Sequence, residues 1–172
     1  MRKFFIDCGA WTGCSIDYIK KHYPDFKIYS FEPLPENLMT LSKYDDIILF
    51  NKAVWDYNGY TKFFKGLSGS GSLYGNKKTG EVDKNNYIDV ETINLSEWIK
   101  DTFRKDDYIV LKLNVEGAEY KILDKMNQEG TLDMVNRYFV QWHWNKIDFP
   151  RAEHDRISNM ISWKPWNVMK MK

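Results

Sequence analysis

The first 31 residues constrain the fold more than any other stretch. Lys3 to Cys8 is a short apolar run, Gly9 to Gly13 is a glycine-bounded loop, and Ile16, Ile19 and Tyr23 then recur at helical spacing. Pro24 and Asp25 break that helix, and Lys27 to Phe31 is a second apolar run. A strand, loop, helix and strand in this order predict a parallel sheet covered by helices. The rest of the chain continues the alternation. A Pro-Leu-Pro-Glu turn opens a helix over about Pro35 to Tyr44, with Pro35 in its first turn. Ile47 to Val54 reads as a third strand, and Asp56 to Gly59 as a hairpin turn into Tyr60 to Phe64.

Gly66 to Lys84, rich in Gly, Ser and Lys, is the one long irregular stretch, and a loop of that length in a compact domain is functional or mobile. Tyr87 to Ile93 is a strand leading to a helix from about Ser96 to Phe103, with Asn94 or Ser96 as its cap. Tyr108 to Asn114 is a strongly apolar strand, Gly117 to Met126 a helix, Tyr138 to Trp142 a strand and Arg151 to Ile161 an amphipathic helix. Val168 to Met171 reads as a short last strand. No repeat or internal boundary breaks residues 1–172, so one domain is expected.

Composition narrows the function classes. A net charge of +1 lacks the basic excess of a nucleic-acid binder, and the lysine pairs Lys20-Lys21 and Lys77-Lys78 read as solvated surface. Two cysteines, Cys8 and Cys14, are too few for a disulfide framework and suit a reducing compartment. No apolar run approaches the ~20 residues that span a bilayer. The start, Met-Arg-Lys-Phe-Phe-Ile-Asp, is not a signal peptide, so a cytoplasmic protein with no membrane partner is expected.

The loop has a physical purpose. Its glycines let the chain turn tightly and let a ligand approach the backbone, and the helix behind it presents free N–H groups to an anion. Asp7, at the end of the first strand, could take the ammonium of an amino-acid moiety. The dinucleotide fingerprint Gly-x-Gly-x-x-Gly is absent, because Trp11 stands where it requires glycine. Glu32 ends the second strand about 20 residues on, where an acid accepts hydrogen bonds from ribose hydroxyls.

Leu111 to Glu119 adds a third element, Lys112-Leu-Asn114-Val-Glu116-Gly-Ala-Glu119. With Asp7 to Gly13 and Phe31-Glu32-Pro33 in order, the chain resembles the FkbM family of methyltransferases from Phe5 to about His143. Asn51-Lys52-Ala53-Val54, Ser70-Gly-Ser72 and Val90-Glu91-Thr92 leading to Leu95 also look like the family. The resemblance implies a Rossmann-like class I methyltransferase fold, α/β, with a mostly parallel sheet and helices on both faces. It implies S-adenosylmethionine as cofactor and methyl transfer to an oxygen, often on a sugar or natural product. The cofactor-binding candidates are then Asp7, Gly9, Ala10, Trp11, Gly13, Glu32, Asn51, Ala53, Ser70, Ser72 and Asn114.

Two positions depart from the family: its Asp is Asn114 here, and the acid near the end of the fifth strand is Gln141. Both changes remove a negative charge near the expected reaction centre, so a catalytically degenerate S-adenosylmethionine-binding module is the alternative reading. Strand alternation places Asn114 and Glu116 together at the carboxyl end of their strand, which faces ligand in open α/β sheets. Glu116 is therefore the first candidate for base or substrate anchor and His143 the second. A divalent metal on Glu116, Glu119 and His143 is possible but not favoured. Trp142, Trp144, Trp163 and Trp166 could form a stacking wall for a sugar ring. The acceptor is expected to be a small molecule or carbohydrate, and the sequence does not set the oligomeric state.

Overall fold

The computed structural model describes residues 1–67 and 71–165. The alternation produces a five-stranded parallel sheet in the order β3-β2-β1-β8-β9. Its strands are β1 (Lys3–Cys8), β2 (Lys27–Phe31), β3 (Ile48–Phe50), β8 (Tyr108–Leu113) and β9 (Arg137–Val140). Strand order reverses between β1 and β8, and such a switch point leaves a crevice at the carboxyl ends of the strands. This is a Rossmann-like arrangement.

Both faces of the sheet are covered. On one side Phe5, Ile28 and Val110 pack with Ile16 and Ile19 of α1 (Cys14–His22) and Leu41 of α2 (Pro35–Leu41). On the other, Phe4, Ile6, Cys8, Ile109, Leu111 and Leu113 meet α3 (Leu95–Thr102), α4 (Glu119–Gln128) and α5 (Arg151–Met160). Alternate residues of β1 therefore serve opposite cores. Each fully buried Ile, Leu or Phe contributes about 1.5–3 kcal/mol relative to an exposed one.

Three segments differ from the sequence reading. The expected third strand breaks after Phe50, whose carbonyl accepts the Glu32 N–H at 3.1 Å. Asn51 and Lys52 bend the chain away, and β4 (Ala53–Trp55) pairs instead with β7 (Tyr87–Asn94) in a second, four-stranded sheet ordered β4-β7-β5-β6. The remaining strands are β5 (Gly59–Lys65) and β6 (Gly71–Ser72), so part of the supposed loop is a short strand paired to Phe64 and Lys65. The helix expected from Gly117 begins at Glu119, because Glu116 and Gly117 hold φ of 55° and 116°, outside the helical region. Asn94 is the cap of α3, its Oδ1 accepting the Ser96 and Glu97 N–H groups. The last expected strand, Val168 to Met171, lies outside the described residues. Among the described residues no helix is long and apolar enough to cross a membrane.

Candidate active site

The site begins beneath the first loop. Asp7 and Lys112 are partners in the β1–β8 register, so their side chains leave the sheet on the same face. Both are buried, and Lys112 Nζ lies 2.6 Å from Asp7 Oδ1, 2.9 Å from the Gly9 carbonyl and 3.2 Å from Ser15 Oγ. Ser15, in the first turn of α1, donates to Asp7 Oδ2 at 2.5 Å. The sequence reading set Asp7 against a ligand ammonium. Instead, the ammonium that Asp7 meets is the protein's own, and Asp7 is not part of the cavity wall. The pair holds the Gly9 carbonyl, and hence the loop, from below.

Above it the loop is pinned to β2. The Gly9 and Ala10 N–H groups donate to the Phe31 carbonyl at 3.0 and 3.2 Å. The Trp11 N–H donates to Glu32 Oε2 at 2.9 Å, although Trp11 has a left-handed φ of 51°. Only glycine fits at position 9: φ is +84°, and a Cβ there would stand 2.1 Å from the Asn114 carbonyl oxygen. The ends of β1 and β8 thus touch through a backbone with no side chain between them. Glu32 also accepts from the Leu34 N–H at 3.1 Å and Asn37 Nδ2 at 3.0 Å. Burial raises its carboxyl above the usual range against the pull of these three donors.

A cavity of about 380 Å³ opens at this end of the sheet, within the usual size of small-molecule sites. Gly9, Trp11, Glu32, Ala53, Asn114 and Glu116 line it, joining six of the predicted residues in one place. Phe31, Pro33, Val54, Phe63, Leu67 and Leu73 supply apolar wall that the sequence reading missed. Three of these come from β5 and the segments flanking β6, so the second sheet roofs a cavity floored by the first. Among the described residues Asn114 Oδ1, buried at this end of the sheet, has no hydrogen-bond partner. An orphaned buried acceptor costs about 1–3 kcal/mol.

Behind the wall, Glu119 organises the turn after β8. Its carboxylate accepts the Val115 and Gly117 N–H groups, both at 2.9 Å, and His143 Nδ1 at 2.8 Å. His143 is fully buried, and its Nε2 points at Glu116 Oε2 from 3.5 Å. Glu116 carries φ of 55° and forms a 2.7 Å ion pair with Lys77, whose side chain is 2% exposed. Lys77 therefore corrects the reading of a solvated lysine, and nothing in the local sequence signalled it. Lys112 was legible only through strand register.

Burial alone would raise the Glu116 carboxyl, but the His143 ring and the Lys77 ammonium outweigh it and hold the group below its usual range. A depressed folded-state value contributes stability that is present above the ordinary carboxylate range and lost as pH falls through the folded value. The stability gap between wild type and Glu116→Gln, about 1–3 kcal/mol at pH 7, should therefore shrink in melts near pH 3.5. A gap that stays constant with pH would show the carboxylate to be uncharged or unpaired.

Other predicted residues fall elsewhere. Ala10 is buried in the α1-side core and Gly13 precedes α1, with Tyr44 against it. Asn51 is exposed on the link between the sheets, outside the wall. Ser72 sits behind the wall, donating to the Glu116 carbonyl at 2.7 Å. Ser70 lies outside the described residues. The tryptophans expected as a stacking wall are not brought to this cavity among the described residues. Trp142 and Trp144 pack with His154, beside a Tyr120–Phe149 stack, and neither tryptophan reaches the cavity. Trp163 is exposed and Trp166 is outside the described residues. Among the described residues the aromatics at the cavity are Trp11, Phe31 and Phe63. Among the described residues no three His, Cys, Asp or Glu side chains converge to hold a metal ion. Glu119 is already engaged by two backbone donors and His143.

A parallel α/β sheet with an acid-ended β2, a glycine-bounded β1–α1 loop and a cavity at the switch point defines the class of doubly wound folds. Comparison with known proteins gives the family. The methyltransferase FkbM domain model matches residues 7–163, and the chain belongs to that family of methyltransferases. A similar protein is "Methyltransferase 1" of Beauveria bassiana (strain ARSEF 2860). It is 25% identical over 171 residues, covering 87% of this chain and 68% of the relative. No solved structure gave a significant match.

Proposed function

We propose that this methyltransferase uses S-adenosylmethionine and methylates an oxygen, a hydroxyl of a sugar or another small molecule. The observation that carries the reading is the cavity at the carboxyl ends of β1, β2 and β8, where Glu32 and Asn114 join a largely apolar wall. The donor set suits the cofactor. Glu32 can accept from ribose hydroxyls, Asn114 Oδ1 from the amino-acid ammonium, and Phe31, Val54, Phe63 and Leu73 can pack on a flat base. When bound, the cofactor supplies an electrophilic methyl group for in-line displacement. The chain then contributes mainly alignment and exclusion of water.

Glu116 is the charged wall residue next to Asn114. Held ionised by Lys77 and His143, it is a weak proton acceptor and a strong hydrogen-bond acceptor, which favours anchoring the acceptor hydroxyl over full proton removal. His143 stands behind it with Nδ1 donating to Glu119, leaving Nε2 toward Glu116. The lack of an acid at positions 114 and 141 supports the second reading, a binding module without turnover. Cytoplasmic location, action as a single domain, and a small acceptor with no nucleic-acid or membrane partner complete the proposal.

Thermal melts with S-adenosylmethionine, S-adenosylhomocysteine or NAD test it. Ligand at 100 times its dissociation constant stabilises by about 2.7 kcal/mol, a rise of about 5–10 °C for a domain of this size. The two adenosyl compounds should give the rise and NAD should not. Glu32→Gln should weaken S-adenosylhomocysteine binding about 10–100-fold. No rise with either adenosyl compound at high concentration sinks the cofactor assignment, and a normal rise without transfer to any acceptor favours the binding module.

A further inference from the structure

The stretch that follows β6 is fastened to the site by side chains as well as by backbone. Ser72 Oγ donates to the Glu116 carbonyl at 2.7 Å and accepts the Tyr74 N–H at 3.0 Å. The Lys77 N–H donates to the Tyr74 carbonyl at 3.3 Å and the Lys78 N–H to the Lys146 carbonyl at 2.7 Å, while Lys78 Nζ pairs with Asp148. At the centre of these contacts, Lys77 Nζ is buried 2.7 Å from Glu116 Oε2. A buried ammonium is strongly unfavourable unless it is paired. Lys77 therefore keeps this place only while Glu116 is ionised and correctly turned. Glu116 lines the cavity and Lys77 does not, so the ammonium reaches the site only through the carboxylate.

We propose that Lys77 is a positioning residue: its ion pair fixes the Glu116 carboxylate on the cavity wall and latches residues 71–78 against the end of β8. Cover and carboxylate thereby take their places together. The inference deepens the reading of this cavity as a methyl-transfer site and rests on it for its functional meaning. The other groups facing Glu116 come from elsewhere: His143 Nε2 at 3.5 Å, with Glu119 behind its ring, and Lys146 through space. These balance the charge of Glu116 without holding the 71–78 segment by a side chain.

The test uses the full chain as wild type, Lys77→Met, Lys77→Arg and Glu116→Gln. Hydrogen exchange of the Tyr74, Lys77 and Lys78 amides is compared with that of β1 amides, which separates local release from global loss of stability. The Glu116 titration is read by carboxyl ¹³C NMR, its resonance identified by its loss in Glu116→Gln. Lys77→Met should speed the three amides by about tenfold or more relative to β1 and move the Glu116 midpoint upward. Lys77→Arg should keep both near wild type. An unchanged Glu116 midpoint, or unchanged relative exchange, in Lys77→Met overturns the proposal. In wild type, S-adenosylhomocysteine should slow the same amides further. Absence of that slowing counts against the methyl-transfer reading alone, because the latch is scored without ligand.

Discussion

Lys112→Met is expected to lower the melting temperature by about 6–20 °C. Removing one partner of a buried ion pair costs about 3–5 kcal/mol, and each kcal/mol moves the midpoint of a domain this size by about 2–4 °C. Asp7 is fully buried, so without Lys112 its carboxylate keeps, among the described residues, only the Ser15 hydroxyl as a close side-chain partner. The double variant Asp7→Leu/Lys112→Met should recover most of that loss, since a well-packed apolar pair often replaces a buried ion pair at little net cost. It should not recover ligand binding. The Gly9 carbonyl loses its ammonium donor in both variants, and the loop that shapes the cavity loses its support from below. Melts of both variants with and without S-adenosylhomocysteine separate the two effects. A single variant that melts within about 2 °C of wild type would show that the pair is dispensable to the fold.

Gly9→Ala is the second large effect. The added methyl would meet the Asn114 carbonyl at 2.1 Å, closer than any real contact, at a φ of +84° that alanine adopts with difficulty. The left-handed conformation costs about 1–2 kcal/mol and the overpacking about 1–3 kcal/mol more. Relief requires β1 and β8 to separate at the point where Asn114 enters the cavity wall, so the ligand-induced rise in melting temperature should vanish with the stability. Gly130 supplies the control. Its φ is +72°, but among the described residues a Cβ there meets nothing within 4 Å, so Gly130→Ala should cost only the conformational part and leave binding intact. Equal losses in the two alanine variants would show that backbone strain, and not the contact with Asn114, explains position 9.

The parallel sheet and its helices were legible because the signals are local. Apolar runs such as Tyr108 to Asn114 and the spacing of Ile16 and Ile19 declare their own geometry. That Glu32, Gly9 and Asn114 line one cavity was legible from their place at strand ends. What could not be read depends on pairing across long separations. The break at Asn51 is set by the partner that β7 offers to Ala53–Trp55, and the Asp7–Lys112 pair by the register of β1 on β8. Lys77 looks like any surface lysine until the second sheet carries it to Glu116. For Asp7, the strand-end rule found a buried acid but not the Lys112 ammonium that strand register sets beside it.

Among the described residues four that are not glycine adopt left-handed backbone, and two of them, Trp11 and Glu116, line the cavity. Such a conformation is unfavourable by about 1–2 kcal/mol at a residue with a Cβ. Glycine would remove that cost but would leave no indole and no carboxylate at the wall. Optimising this protein for heat resistance alone would therefore draw substitutions to the two positions that give the cavity its character. Selection for ruggedness and selection for recognition pull in opposite directions at the same two backbone angles.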